Sequence, residues 1–299
     1  MEIREAYLPA GDHSQKHILK LYKRHPKPGR KVFTDHRHLD FQISYIKKGS
    51  GVYKTEHASY HMRPNDIFFF RSNEFHWLSE IDGEEPMTIV ELQFDPRLIW
   101  PSSTELSTPE LVHLFVDKSP DFCHRLDRGH PMRERIESLF LSIEDEFSNK
   151  KAEYPLMIKL NLLSMFVLLH RHFGYGEKAE DRHICYNNFE AIEKSMNYLH
   201  DHLTEDLKLA DLAQIANMSE TYYSSVFKKL NGTSPWGYIM AKRIDLAKSY
   251  LSENTGTMLE LALKCGFKNT ANFNRTFKKI TGLTPSEYKV SKTSHVFLY

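Results

Sequence analysis

Four polar side chains in the N-terminal part of this 299-residue chain stand at spacings that could serve a ligand. His36, His38 and Gln42 fall on one face of an extended segment, because side chains alternate with a period of two along a strand, and His76 from a neighbouring strand could complete the set. Three imidazoles and an amide oxygen can hold iron, manganese, nickel or zinc. The same groups can instead bind a small organic molecule, or satisfy one another inside a core. His57 and His61 read as surface residues.

A second chemistry lies in the last hundred residues. One amphipathic segment places Thr221, Ser224, Ser225 and Lys228 on its outward face, and a later one places Ala271, Asn274, Arg275 and Lys278 on its own. A helix whose exposed face is small, amide-bearing or basic suits the major groove of DNA, where Asn pairs with adenine and Arg with guanine.

The elements that must position these groups form an internal repeat. Leu212-Ala213 through Phe227-Lys228-Lys229-Leu230-Asn231-Gly232-Thr233-Ser234-Pro235 returns as Leu261-Ala262 through Phe277-Lys278-Lys279-Ile280-Thr281-Gly282-Leu283-Thr284-Pro285. Phe277 follows Phe227 by 50 residues and Leu261 follows Leu212 by 49, so the second copy has one extra residue, Lys268, at its turn. Each copy reads as two short helices around a tight turn. In the first, Leu209, Leu212, Ala213 and Ala216 share a face, Asn217 tolerates a left-handed backbone, and Ser219 is an N-cap. Tyr223, Val226, Phe227 and Leu230 then form an i, i+3, i+4, i+7 stripe that must be buried. In the second copy Gly266 makes the turn, Asn269 caps, and Phe273, Phe277 and Ile280 are expected in the core. Between the copies, residues 236–251 carry a helical pattern in Ile239, Ile244, Ala247 and Leu251. A helix of about 18 residues spans roughly 27 Å, close to the ~34 Å repeat of B-DNA, so one chain could reach two successive major grooves.

On these residues the C-terminal region, about 188–290, resembles the DNA-binding domain of the arabinose-operon regulator (AraC/XylS) family, a double helix-turn-helix. The stretch Gly266-Phe267-Lys268-Asn269, then Phe273-Asn274-Arg275-Thr276-Phe277-Lys278-Lys279, then Gly282, Thr284, Pro285 and Tyr288, carries the resemblance. It implies that Thr221, Ser224, Ser225, Thr270, Ala271, Asn274 and Arg275 face bases. It implies as partners double-stranded DNA and RNA polymerase, and a regulator that is an activator rather than an enzyme. The first copy departs from the family pattern at Asn217, Met218 and Ser225, and serine reads bases less selectively than a bidentate arginine.

Charge qualifies this picture. Residues 188–290 carry 13 Lys and Arg against 11 Asp and Glu, a modest excess for a DNA-binding domain. Lys264, Lys268, Arg275, Lys278 and Lys279 form a run without acids, so phosphate contact is expected mostly there and from Lys228 and Lys229. The whole chain has a formal net charge of +1, which argues against a polybasic, non-specific binder. Three scattered cysteines, Cys123, Cys185 and Cys265, suit neither a disulfide framework nor a metal knuckle. Residues 1–15 lack the apolar core of a signal peptide, and the apolar run around 162–169 is too short to span a bilayer. A cytoplasmic protein without a membrane segment is the expectation.

The first 125 residues read as short strands and turns. Phe41-Gln42-Ile43-Ser44-Tyr45-Ile46, a glycine turn through Gly49 and Gly51, and Val52-Tyr53-Lys54 suggest a strand and its return strand. Pro64-Asn65-Asp66 precedes Ile67-Phe68-Phe69-Phe70, and Thr88-Ile89-Val90-Glu91-Leu92-Gln93-Phe94 alternates like a half-buried strand. This part resembles a cupin, the small β-barrel that many members of the family carry as an effector domain, through His36-x-His38-x3-Gln42-x6-Gly49 and His76. The resemblance implies a small-molecule effector, often a sugar in the family, held by His36, His38, Gln42 and His76, with no cofactor required. Two alternatives stand beside it, a metal-dependent cupin enzyme using those four residues and a constitutive DNA binder without effector.

Between these parts, Ile136, Leu139, Phe140, Ile143 and Phe147 form one amphipathic stripe, and Leu156, Leu160, Leu163 and Val167 lie on a second helix that is apolar nearly all round. Such a helix needs burial on more than one side, which packing against the barrel together with a second subunit of a homodimer, or core packing alone, would supply. The expected fold is α+β and multidomain. A cupin-like jelly-roll barrel (1–125) precedes a helical connector (126–173) and a linker (174–187), then an all-α double helix-turn-helix (188–290) and a tail (291–299).

Overall fold

A computed structural model describes residues 2–9, 16–28, 38–99, 123–173, 182–252 and 256–293, in two compact units that lie within Met1–His183 and Ile184–Leu298. His36 lies outside the described residues, as does most of the stretch expected to link the units.

The first unit holds eight strands among the described residues: β1 (Glu2–Pro9), β2 (Lys16–Arg24), β3 (Phe41–Lys48), β4 (Gly51–Thr55), β5 (Ser59–Met62), β6 (Ile67–Phe70), β7 (His76–Ile81) and β8 (Thr88–Phe94). They form two antiparallel sheets, ordered β1-β2-β8-β3-β6 and β5-β4-β7. The glycine turn after β3 does not close a hairpin. It carries the chain from the five-stranded sheet into the three-stranded one, so β3 pairs with β6 and β8 while β4 pairs with β5 and β7. Gly51 stands at the crossing, where a Cβ would collide with the Glu80 carbonyl oxygen.

The expected half-buried alternation of β8 is also corrected, because both of its faces are covered. Phe41, Ile43 and Tyr45 of β3, Ile67 and Phe69 of β6, and Val90, Leu92 and Phe94 of β8 share a core with two helices, α1 (Arg133–Asn149) and α2 (Tyr154–Phe173). Their alternate neighbours Ile46, Phe68, Phe70 and Ile89 pack instead with Tyr53, Met62 and Leu78 of the second sheet. The period-two rule still operates, but it sorts residues between two interiors. Helix α1 buries the expected stripe of Ile136, Leu139, Phe140, Ile143 and Phe147. At about 1.5–3 kcal/mol per buried side chain, that stripe contributes on the order of 10 kcal/mol before entropy is set against it. Tyr45 Oη donates to Glu137 Oε1 at 2.6 Å and Lys47 pairs with Glu144 at 2.6 Å, which fixes α1 against β3.

On α2 the buried residues are Ile158, Leu162, Leu163, Met165, Phe166 and Leu169. Of the stripe expected from the sequence, only Leu163 is fully buried, whereas Leu156 and Leu160 are 52% and 38% exposed. The apolar circumference of α2 exceeds what one sheet and one helix can cover.

The second unit is helical: α3 (Arg182–Asp201), α4 (Leu209–Ile215), α5 (Glu220–Asn231), α6 (Pro235–Ser252), α7 (Met258–Lys264), α8 (Thr270–Thr281) and α9 (Pro285–Thr293). Helix α3 begins at Arg182, inside the stretch read as linker. The repeat is visible in its punctuation. Asn217 and Gly266 occupy matched turn positions and both are left-handed, with φ of 52° and 78°. Ser219 Oγ accepts from Tyr222 N and Asn269 Oδ1 from Asn272 N, so both second helices are capped alike. Pro235 and Pro285 then open the next helix at the position where a missing N–H costs nothing.

Candidate functional site

The second helix of each repeat, α5 and α8, presents one buried and one open face. Tyr223, Val226, Phe227 and Leu230 are buried on α5, as are Phe273 and Phe277 on α8. Ile280, expected in the core, is 37% exposed at the end of α8. The opposite faces carry the residues that the sequence singled out. Thr221, Ser225 and Lys228 are exposed on α5 with Ser224 half-buried, and Ala271, Asn274, Arg275 and Lys278 are exposed on α8 with Thr270 half-buried. The two faces thus carry hydroxyl, amide and guanidinium groups, the chemistry that pairs with base edges, and an ammonium group on each, the chemistry that meets phosphate.

Beneath these faces the packing is aromatic and inert. Tyr223 hydrogen-bonds Ser195 Oγ at 3.0 Å, and burial pushes its phenol up to about 12. Phe273 and Phe277 lie with ring centroids 5.7 Å apart, and Phe277 meets Tyr288 edge-on at 5.5 Å. Burial pushes the Cys265 thiol up to about 11, which makes it a packing residue rather than a nucleophile.

The long helix α6 joins the two repeats. Its C-terminal half, Ile244, Ala247 and Leu251, belongs to the core of the second repeat, while Tyr238 packs edge-on against Phe227 of the first at 5.6 Å. Arg243, on the same buried side, was missed in the sequence. It donates from Nε to Leu203 O at 2.8 Å, from Nη2 to Glu205 O at 2.6 Å and from Nη1 to Gly266 O at 2.6 Å. Three carbonyl dipoles thus solvate a buried guanidinium. Lys268, the extra residue of the second turn, pairs with Asp206 at 3.0 Å. The segment leading into the first repeat and the turn of the second are therefore fastened to the same helix. A signal for Arg243 existed, since it lies four residues from both Ile239 and Ala247 on the buried stripe of α6.

In the first unit, three of the four expected ligand residues come together. Gln42 Oε1 lies 2.9 Å from His38 Nε2 and 3.3 Å from His76 Nε2, and it accepts from Gln93 Nε2 at 2.7 Å. Gln42 Nε2 donates to Ser44 Oγ at 2.8 Å. His76 does not sit on a strand adjacent to β3. It faces Gln42 from β7 in the opposite sheet, stacked on Phe70 at 4.2 Å. His38 precedes β3 rather than lying on it. The other ring nitrogens face backbone, His38 Nδ1 toward Asp40 O at 2.7 Å and His76 Nδ1 toward Glu74 O at 3.0 Å, so both rings are held at two points. Among the described residues no group of three or more His, Cys, Asp or Glu is placed to hold a metal ion. His57 and His61 are exposed, and His61 pairs with Asp82.

Two residues that the sequence did not single out extend this polar interior. Glu91 is buried beside Gln93 on β8, ion-paired to Arg24 at 2.5 Å and approached by Tyr53 Oη at 3.4 Å. Burial and the Glu91 charge raise the Tyr53 phenol far above its ordinary value. Nearby, Glu74 joins Arg71 and His124. Burial would raise its carboxyl, but hydrogen bonds from His124 and Arg71 outweigh that and bring it down to about 2.

A model of an AraC-like ligand binding domain matches residues 23–164 and a helix-turn-helix domain model matches 212–290. The TetD protein of transposon Tn10 in Escherichia coli is 31% identical over 128 residues, 42% of this chain and 93% of that protein. The arabinose operon regulatory protein of Escherichia coli K12 is 26% identical over 81% of this chain and 77% of its own. Three further relatives, matched over 93, 95 and 99 residues, are covered over only 38%, 39% and 13% of their own length. Among solved structures, fatty-acid-bound ToxT from Vibrio cholerae matches with a TM-score of 0.57 and 15% identity over 97% of both chains, a likeness of fold. With both domain models matched in order, the chain belongs to the AraC family of transcription regulators, an AraC-like ligand-binding domain followed by a DNA-binding helix-turn-helix domain.

Proposed function

We propose that this chain is a sequence-specific DNA-binding transcription regulator whose affinity for its target is set by a small molecule held in the N-terminal β domain. The carrying observation is the duplicated, identically capped pair of helices with exposed polar faces, Thr221, Ser224, Ser225 and Lys228 on one and Thr270, Ala271, Asn274, Arg275 and Lys278 on the other. The effector site is assigned to the polar interior around His38, Gln42 and His76, with His36 as a further member. A ligand entering there competes for the hydrogen bonds that these side chains make to one another, so it must bring hydroxyl, amide or carboxylate groups of its own, as a sugar does. A differential affinity of about 1–3 kcal/mol between two states of the protein shifts DNA affinity roughly 5- to 150-fold.

The finer parts of this reading follow from the same features. Residues 1–125 belong to the effector domain, 126–173 to the helical connector and 188–290 to the DNA-binding domain, with 291–299 as the tail; of the stretch 174–187 read as linker, the part from Arg182 onward belongs to α3. The exposed Leu156, Met157 and Leu160 of α2 fit a homodimer contact. RNA polymerase is the protein partner, activation the mode, and the cytoplasm the compartment. No helix among the described residues is long and apolar enough to cross a membrane. Selection of fragments from genomic DNA by the purified chain, repeated with and without candidate metabolites, tests the proposal. Enrichment of one shared sequence, with a Kd that moves when a metabolite is added, supports it; recovery of DNA without a shared sequence overturns it.

A further inference from the structure

Arg275 does not stand alone on the open face of α8. Its Nη2 donates to Asn272 Oδ1 at 3.2 Å, and Thr276 Oγ1 reaches the same oxygen at 3.5 Å. Asn272 is itself held from behind, because its backbone N–H donates to the cap residue Asn269 at 2.8 Å. Its side chain is exposed and makes no contribution to the aromatic core. The amide oxygen thus sits between the rigid first turn of the helix and a guanidinium that would otherwise sample many rotamers. An unrestrained arginine gives up rotamer freedom when it docks bidentately, and a neighbour that restrains it beforehand lowers that cost. Only one hydrogen of the fork is taken by Asn272, which leaves the remaining donors for the O6 and N7 acceptors of a guanine.

We infer that Asn272 is a positioning residue for base selection, acting through Arg275. The inference rests on the proposed base contact of Arg275. A bare surface hydrogen bond between residues three apart on a helix would leave discrimination untouched, and that difference makes the idea testable. The probes are a duplex recovered by binding selection from random-sequence oligonucleotides, and the same duplex with the base pair that Arg275→Ala ceases to discriminate exchanged.

Asn272→Ala is expected to reduce the ratio of the two Kd values about 3- to 10-fold, with the salt dependence of binding unchanged. In the Arg275→Ala background the same substitution should have no further effect on that ratio. Asn272→Asp keeps the acceptor oxygen and should retain the discrimination, while its added charge weakens binding to both duplexes alike. Full discrimination by Asn272→Ala, or losses that simply add to those of Arg275→Ala, overturns the inference and leaves the arginine contact standing. A uniform loss on both duplexes in Asn272→Ala, with their ratio unchanged, marks Asn272 as a phosphate contact and also overturns it. If Arg275→Ala itself discriminates every base pair normally, the underlying contact and this inference fail together.

Discussion

Arg243 Nη1 donates to the carbonyl oxygen of Gly266 at 2.6 Å, and through this contact the long helix α6 grips the turn of the second repeat. Gly266 is left-handed, and a Cβ there would meet Thr204 O at 2.8 Å and Arg243 Cζ at 2.9 Å. The guanidinium, the turn and the segment before α4 are thus packed too closely for anything but glycine. The second helices of the two repeats, α5 and α8, thus pack against one helix, α6, which Arg243 anchors near its middle.

Loss of that grip should be costly. Arg243→Ala leaves three carbonyls without their donor, and each buried unsatisfied acceptor costs about 1–3 kcal/mol, so a loss of roughly 3 kcal/mol is expected after partial hydration. Gly266→Ala should cost about 1–2 kcal/mol from its left-handed backbone alone. Urea denaturation followed by circular dichroism measures both. An unchanged midpoint for Arg243→Ala would show that the carbonyls are satisfied by water instead.

The base role proposed for Arg275 and the phosphate role proposed for Lys278 can be told apart by experiment. Arg275→Ala should cost about 1–3 kcal/mol at one base pair and relax selection there. Lys278→Ala should weaken all sequences alike and reduce the slope of log Kd against log salt by about 1. Fluorescence anisotropy over a salt series distinguishes these patterns, and identical behaviour of the two variants would contradict the division of labour.

The Glu74 cluster gives the first unit an acid limit. Its carboxyl stands at about 2 in the fold against an ordinary 4.5, a depressed value, so the stabilisation is fully present above about pH 4.5 and is lost as pH falls toward about 2. The shift corresponds to roughly 3 kcal/mol. Glu74→Gln should lower stability at pH 7 and flatten the acid side of a plot of Tm against pH. A variant that keeps the full acid dependence would assign that dependence to another carboxylate.

The uncovered face of α2 predicts association. Leu160→Glu places a charge among Leu156 and Met157 on an exposed stripe, so it should abolish a dimer while leaving thermal stability of the monomer nearly unchanged. Sedimentation equilibrium at micromolar concentration reads the result. A wild-type chain that sediments only as 35.1 kDa particles would remove the dimer contact altogether.

Local rules were legible in the sequence wherever neighbours along the chain decide the outcome. Asn217, Ser219, Gly266 and Asn269 act through backbone conformation and hydrogen bonds within a few residues, and the structure places all four as their types dictate. Tertiary partnerships were less legible. Glycines after β3 look the same whether they close a hairpin or lead to another sheet, so the partner of β4 could not be read. His76 meets Gln42 across the gap between sheets, a relationship that strand periodicity cannot encode. Arg243 depends on carbonyls 23 to 40 residues away, and a carbonyl leaves no mark in the sequence. Ile280 and Leu160 look like core residues, but the packing surfaces end before reaching them.

Dimethyl sulfate interference on a selected duplex tests the central claim most directly, because it reports which guanine N7 atoms in the major groove must be free for binding. Two clusters of interfering guanines are expected on one face of the duplex, about 10 base pairs apart. Within them, Arg275→Ala should silence a guanine in one cluster only. A single cluster, or two on opposite faces, would contradict the proposal that both repeats of this chain read DNA together.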